Sequence, residues 1–231
     1  FASSFGKNGD TQGSPPDLNF TNPLLSIQFP SEAIEAKLLA LKPSSASGPD
    51  GIYPRILREC ARELSVPLSH IFEKSMTSGV LPTDWKQTNV SPIYKKGQKN
   101  KAANYRPINI ASVPAKVMES VIKDGILSHL NDNDLIRKTQ HGFLPQRSCT
   151  TNLIDYLNVV TRTLDRGVSF DAILVDFQKA FDKVPFDGML SKAHAHGIRG
   201  ELLKWLHNWT KNRQQRVVLN GTESSWTDVL S

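Results

Sequence analysis

Asp176 is the first residue whose type and position suggest chemistry. It stands near the end of DAILVDF, residues 171–177, whose apolar run predicts a strand buried on both faces. A buried carboxylate is costly unless it has a partner. Mg²⁺ is one suitable partner, because it prefers carboxylate oxygens. A structural salt bridge or a helix cap is another, and the residues alone leave both open.

Basic residues form the second set of candidates. Two β-branched runs, 88–96 and 105–112, flank the polar loop 97–104, which predicts a hairpin with a mobile tip. Lys95, Lys96 and Arg106 lie on its arms, and Lys99 and Lys101 lie at the tip. The chain has 28 basic and 22 acidic residues, a net charge of +6, which fits a nucleic-acid partner. A solvated loop would show the same charge run.

The remaining periodicity predicts helices and a second hairpin. Residues 1–30 are rich in turn-forming and polar types and predict a flexible linker. Ser31 could cap the first helix, Pro67 suits a first turn, and Gly79 suits a helix end. Asn220 and Gly221 predict the turn of a C-terminal hairpin. The helices are expected over 31–41, 54–65, 67–78, 115–130, 148–166, 187–196 and 200–211.

Several classes of protein are not expected. No apolar run is long enough to span a membrane. Cys60 and Cys149 lack the spacing of a zinc site or a disulfide framework, which fits a reducing compartment. The chain begins at Phe1 without a signal peptide, so we expect a piece of a longer open reading frame.

The segment ILVDFQKAFDKVP, 173–185, resembles the first catalytic motif of reverse transcriptases from non-LTR retrotransposons of the LINE, jockey-like type. Other segments follow in the order of that family, and the resemblance covers roughly residues 32–231. They are SGPDGIYPRILR (47–58), LPTDWKQTNVSPIYKKG (81–97), NYRPINIASVPAKVME (104–119), QHGFLPQRSCTTNL (140–153) and the stretch 197–226.

The resemblance implies roles at the first catalytic motif. Asp176 would be a ligand of both catalytic Mg²⁺ ions, and the backbone carbonyl of Phe177 would also face the metal. Phe181 would be the steric gate that rejects the ribonucleotide 2′-hydroxyl. The backbone N–H groups of Lys179 and Ala180 would lie near the triphosphate.

The resemblance also implies roles for the basic residues. Arg106, with either Lys95 or Lys96, would clamp the incoming dNTP. The other candidates would contact nucleic acid, as part of a template-contacting segment or through phosphate. They are Lys99, Lys101, Gln140, Gly142, Phe143, Arg147, Lys211, Arg213 and Arg216.

The implied fold is α/β (α+β), the fingers and incomplete palm of a right-hand polymerase. Residues 1–30 would be the linker, 31–166 the N-terminal extension and fingers, and 167–231 a partial palm, ending before the hairpin with the paired catalytic aspartates. The parent would be an RNA-directed DNA polymerase acting on an RNA template, a DNA primer and dNTPs. It would carry an endonuclease domain in the same polyprotein, would act in the nucleus and would not bind membranes.

One alternative to an active polymerase remains, and a second is disfavoured by the sequence. The sequence has no Asp–Asp pair, so we expect the isolated chain to be inactive. It could be a decayed or co-opted remnant that binds RNA without catalysis. An aspartate-nucleophile phosphohydrolase would need a second Asp two residues after Asp176, where this chain has Gln178.

Overall fold

A computed structural model describes residues 20–177 and 184–229. This part is a mixed α/β structure, in agreement with the predicted class. Helices α1 to α7 span Ser31–Leu39, Pro54–Glu59, Ala61–Ser78, Val113–Asp132, Cys149–Asp165, Phe186–Ala195 and Gly200–Thr210. Strands β1 to β5 span Gln87–Tyr94, Tyr105–Ala111, Gln214–Leu219, Thr222–Glu223 and Thr227–Asp228.

The described residues form two compact units. The larger unit holds residues 20–128 and 184–229, and the smaller holds 129–177. The sheet and most helices belong to the larger unit, whereas α5 belongs to the smaller.

The sheet of the larger unit is built around β1. It pairs antiparallel with β2 and parallel with β3, and β3 pairs in turn with β4 and β5. Thr88 and Val90 of β1 are buried, as expected for the central strand. Asn220 and Gly221 form the turn between β3 and β4 with φ of 49° and 77°. Both positive values suit the predicted Asn–Gly turn.

The core of the larger unit joins helices α1, α3, α4 and α7. Phe29, Phe72 and Trp85 meet edge to face, with ring centroids 5.7 and 5.8 Å apart. Burying a side chain of this size contributes about 1.5–3 kcal/mol. A buried polar link also ties α7 to α3, because the Trp205 indole N–H donates to the Ser75 hydroxyl at 3.1 Å.

The predicted linker is wrong for its last residues. Ile27 and Phe29 are buried in the core, and Leu24 forms an isolated bridge with Ile198. Ile27 fits against α4 because Gly125 has no side chain; a Cβ there would lie 2.4 Å from the Ile27 Cδ1. The linker was predicted from the composition of 1–30 as a whole, in which polar residues outnumber this short apolar stretch. Residues 1–19 lie outside the described residues.

Pro67 does not begin a helix. It lies in the interior of α3, and the break between α2 and α3 occurs at Cys60 instead. A proline there removes a hydrogen bond to the carbonyl of Glu63, a cost of about 3 kcal/mol or more. The burial of Leu68, Phe72 and Met76 on one face of α3 offsets this cost.

The structure confirms some of the residues that were predicted to begin or end helices. Gly79 has the left-handed conformation that ends α3, and Gly167 has a φ of 71° just after α5. Ser31, in contrast, is the first residue of α1 and not its cap, which is Pro30. Both cysteines are free and exposed. None of the helices in the described ranges is long and apolar enough to cross a bilayer.

Candidate functional site

The β1–β2 hairpin presents the predicted triphosphate-binding residues. Its register pairs Ile93 with Arg106, and the Lys95 N–H donates to the Asn104 carbonyl at 2.9 Å, which extends the ladder by one residue. Opposed residues of antiparallel strands share a face, and successive residues alternate. Lys95 and Arg106 therefore lie on one face as diagonal neighbours, and both are exposed. Lys96, the next residue, lies in a bend beyond the last paired residue of the ladder.

The other face of the hairpin carries two tyrosines that fold the tip onto the arms. Tyr94 and Tyr105 meet edge to face at 5.7 Å. The Tyr94 hydroxyl donates to the Gly97 carbonyl at 2.6 Å, and the Tyr105 hydroxyl donates to the Lys99 carbonyl at 2.8 Å. The Lys99 ammonium lies 5.7 Å from the centroid of the Tyr94 ring. These hydrogen bonds close the tip, whose mobility stays a prediction, and Lys101 at its end is exposed.

The two C-terminal arginines contact partners within the chain. The Arg213 guanidinium lies 4.9 Å from the Trp209 ring centroid and donates to the Trp209 carbonyl at 3.1 Å. Burial lowers the pKa of Arg213, and the charge of Glu119 opposes this change. Arg216 donates to Asn89 at 2.8 Å and forms an ion pair with Glu223. Of the three predicted phosphate contacts in this region, Lys211 is the exposed one.

Residues 140–147 form a loop that is braced against α5 by the buried side chain of His141. The two ring nitrogens of His141 lie 2.9 Å from the Thr151 hydroxyl and 3.1 Å from the Asp155 carboxylate. The Gln140 amide donates to the Gly142 carbonyl at 3.0 Å. Phe143 is 86% exposed and has a φ of 64°. The brace therefore places these residues at the surface of the smaller unit.

The brace was missed in the sequence. His141, Thr151 and Asp155 are separated by loop and helix positions that only the fold brings together. One signal could have pointed to it: Ser148 and Thr151 form a reciprocal cap at the start of α5. Such spacing before an amphipathic helix marks where a loop joins that helix.

The prediction that 171–177 is a buried strand is wrong for the described structure. The segment forms no strand, and Ile173 and Leu174 are about 90% exposed. Asp176 is exposed and Phe177 is 77% exposed. A strand needs a neighbour for its backbone and cover for its side chains. No strand of the described residues pairs with this segment. Lys179, Ala180 and Phe181 lie outside the described residues.

The carboxylate of Asp176 suits a hard divalent cation. Within residues 20–177 and 184–229, no three His, Cys, Asp or Glu side chains are grouped so that they could hold a metal ion. Mg²⁺ demands near-octahedral oxygen ligation. Asp176 could therefore supply one ligand of a larger set.

Comparison with known proteins supplies the family. A family model described as reverse transcriptase (RNA-dependent DNA polymerase) matches residues 93–227. The RNA-directed DNA polymerase from mobile element jockey of Drosophila funebris is 26% identical over 195 residues, 84% of this chain and 21% of that protein. The probable RNA-directed DNA polymerase from transposon BS of Drosophila melanogaster is 26% identical over 177 residues, 76% of this chain and 19% of that protein.

The chain spans about one fifth of the length of these relatives. The match to the family model covers more than half of the chain and includes both Arg106 of the hairpin and Asp176. The chain belongs to the reverse transcriptase (RNA-dependent DNA polymerase) family.

Proposed function

We propose that the chain is part of the RNA-directed DNA polymerase of a non-LTR retrotransposon, contributing the fingers and the first part of the palm. The observation that carries this proposal is the continuous family match over 93–227. The names of the relatives, RNA-directed DNA polymerases of mobile elements, support it. In this proposal, residues 31–166 belong to the N-terminal extension and fingers, and 167–231 to the palm.

Asp176 is proposed as one ligand of the two catalytic Mg²⁺ ions of the complete polymerase. Such ions activate the primer 3′-hydroxyl and stabilise the leaving pyrophosphate. The chemical character of the carboxylate and its exposure fit this role. For Phe181 as sugar gate, and for Lys179 and Ala180 as triphosphate contacts, the support is the sequence motif alone.

The hairpin supports a choice between the two candidate lysines. Lys95 shares a face of the hairpin with Arg106, as the register of β1 and β2 requires. Two cations on one face and two residues apart across a ladder can reach one triphosphate together. Lys96 lies in the bend beyond the ladder, where no pairing fixes it beside Arg106. We therefore propose that Lys95 and Arg106 form the clamp for the dNTP.

The adjacent lysines make a matched pair of variants for this proposal. Lys95→Ala and Arg106→Ala should each weaken binding of Mg²⁺–dATP by about tenfold, since each removes a charge-assisted contact. Lys96→Ala should change the affinity by less than about twofold, because it removes the same charge from an exposed bend outside the ladder. Isothermal titration calorimetry on the 231-residue chain measures the affinities. Equal losses for both lysines would refute the choice of Lys95, and unchanged affinity in all three variants would refute the clamp.

We also propose that the 231-residue chain does not polymerise DNA by itself. It contains Asp176 but no Asp–Asp pair, which the family resemblance assigns to the remaining metal ligands. RNA template, DNA primer and dNTPs are therefore proposed as ligands of the whole protein.

A further inference from the structure

The buried ring of His141 has more hydrogen-bond contacts around it than a neutral imidazole can satisfy at once. Its Nε2 lies 3.1 Å from a carboxylate oxygen of Asp155, and its Nδ1 lies 2.9 Å from the hydroxyl oxygen of Thr151. A carboxylate only accepts hydrogen bonds, so Nε2 carries a proton and donates it to Asp155. Whether Nδ1 also carries a proton depends on what the Thr151 hydroxyl can still offer to the ring.

The Thr151 hydroxyl has one proton and three neighbours. The Ser148 N–H donates to its oxygen at 2.9 Å, which uses one acceptor position. The hydroxyl donates its own proton to the Ser148 carbonyl, also at 2.9 Å. An acceptor position is then all that remains for the ring, so Nδ1 has to donate as well. The complete set of contacts therefore belongs to the doubly protonated, positively charged ring of His141.

A neutral His141 ring has to give up one of these contacts. If Nε2 keeps its proton, the bare Nδ1 accepts the Thr151 proton, and the Ser148 carbonyl loses the hydroxyl. If Nδ1 keeps its proton, the lone pair of Nε2 faces the carboxylate of Asp155, which is repulsive. The first arrangement costs less, because the Ser148 carbonyl still accepts the backbone N–H of Asn152 at 3.1 Å. Either way, the neutral ring no longer attracts Asp155 with an opposite charge.

Arg147 can compete with His141 for the same carboxylate oxygen. Its guanidinium lies 3.9 Å from the oxygen of Asp155 that His141 contacts, which is beyond hydrogen-bonding distance. The side chains of Asp155 and Arg147 are 58% and 38% exposed, so both have room to move, whereas the ring of His141 is buried. When the ring loses its positive charge, Arg147 is a cation within reach of the carboxylate that His141 no longer neutralises.

The loop between these side chains has a conformation that its surroundings must enforce. Phe143 and Gln146 have φ of 64° and 60°, a left-handed conformation that is unusual for residues with a side chain. Such a conformation persists only where neighbouring contacts hold it. His141 fixes the start of the loop to α5, and the cap at Ser148 fixes its end. A weaker contact of His141 with α5 would therefore loosen the residues between them.

We propose that His141 is a proton-dependent latch, which holds residues 140–147 against α5 when its ring is charged and loosens them when its ring is neutral. The latched form binds one more proton than the loosened form. Latching is therefore favoured as the pH falls through the range in which histidine titrates, about 6.5 in peptides, and is lost as the pH rises through it. The proposal concerns the smaller unit and does not depend on the proposed function.

Hydrogen exchange of the 231-residue chain tests the latch on both sides of this range. Relative to an unfolded peptide at the same pH, the amides of 140–147 should be about tenfold better protected at about pH 5.5 than at about pH 8. His141→Gln cannot titrate, so its protection of this loop should differ by less than about twofold between the two pH values. Protection that is independent of pH in the unmodified chain, or equally pH-dependent in His141→Gln, would overturn the latch.

Two substitutions of Thr151 test the part that its hydroxyl takes. Thr151→Val removes the hydroxyl and keeps the branched shape, whereas Thr151→Ser keeps the hydroxyl. The valine variant should reduce the difference in protection between the two pH values to less than about threefold, and the serine variant should retain about tenfold. Circular dichroism establishes that each variant is folded. An equal pH dependence in the two variants would show that the hydroxyl is not part of the latch.

The ring nitrogens give a readout that does not depend on the loop. Nitrogen-15 NMR distinguishes a charged imidazole from each neutral tautomer, and the His141 signals among the six histidines are identified by their absence in His141→Gln. Both nitrogens should carry a proton at about pH 5.5, and Nε2 alone at about pH 8. A ring that is neutral at the lower pH, or protonated on Nδ1 alone at the higher pH, would overturn the proposal.

Discussion

The surroundings of a guanidinium decide what it can bind. Arg106 projects from an exposed strand face beside Lys95, so its five donors are accessible to an anion. Arg213 is covered by Trp209 and hydrogen-bonded to its carbonyl. Both were phosphate candidates by sequence, because charge and position in the chain do not show which side chains the fold will cover.

Asp124 provides a test of electrostatics at the residue scale. Its carboxylate on α4 forms ion pairs with Lys37 of α1 and, at 3.1 Å, with Lys123. Burial alone would raise the pKa of Asp124, but the hydrogen bonds and charges of the two lysines outweigh burial and hold the pKa below its usual value. A depressed carboxyl pKa stabilises the fold above the unfolded pKa, and this contribution is lost as pH falls through the folded pKa.

Asp124→Asn should therefore lower the free energy of unfolding at pH 7 by a few tenths to about 1 kcal/mol, since the pair is exposed. The difference should shrink below about pH 4, where the unfolded carboxyl becomes protonated. Urea unfolding at several pH values measures it, with the exposed carboxylate variant Glu73→Gln as control. A difference between Asp124→Asn and the unmodified chain that stays constant down to about pH 3.5, below the usual carboxyl pKa, would show that the ion pairs do not stabilise the fold.

At the scale of elements, the sequence predicted what local patterns decide. The helices over 31–41, 187–196 and 200–211 were placed within one or two residues, because apolar periodicity is a property of each segment. The β1–β2 and β3–β4 hairpins were also predicted, since turn residues mark them. Segment 24–29 was missed because its partners lie far along the chain: Ile27 fits against Gly125, and Phe29 packs on Phe72.

For segment 171–177, burial was predicted but is not found. Its apolar run indicates the capacity to form a buried strand, but a strand also requires a pairing partner, which the run cannot specify. Among the described residues, none forms a backbone hydrogen bond with this segment. We therefore expect its amides to exchange with deuterium at nearly the rate of an unfolded peptide.

Hydrogen exchange with mass spectrometry measures this directly. Val90 is the internal control, because it is buried in the central strand between β2 and β3. Its amide should remain protected long after 171–177 has exchanged. Protection of 171–177 equal to that of β1 would contradict the described structure and would restore the predicted buried strand.

At the scale of the whole molecule, the family is better supported than the site. Motifs spread along the sequence predicted the reverse transcriptase family, and the match over 93–227 confirms it. The candidate site residues could not be checked in the same way, because the structure does not describe all of them within one unit. The hairpin lies in the larger unit and Asp176 in the smaller, and Lys179, Ala180 and Phe181 lie outside the described residues.

The last prediction concerns catalysis by the isolated chain. One carboxylate cannot hold two Mg²⁺ ions in register, because each ion needs several oxygen ligands. The 231-residue chain should therefore show no Mg²⁺-dependent extension of a DNA primer on an RNA template above the background of a protein-free reaction. Asp176→Ala, assayed beside it, should be indistinguishable from the unmodified chain. Extension by the unmodified chain that Asp176→Ala abolishes would refute inactivity while supporting Asp176 as a metal ligand. Extension that survives Asp176→Ala would refute both, since the chemistry would then depend on residues other than this carboxylate.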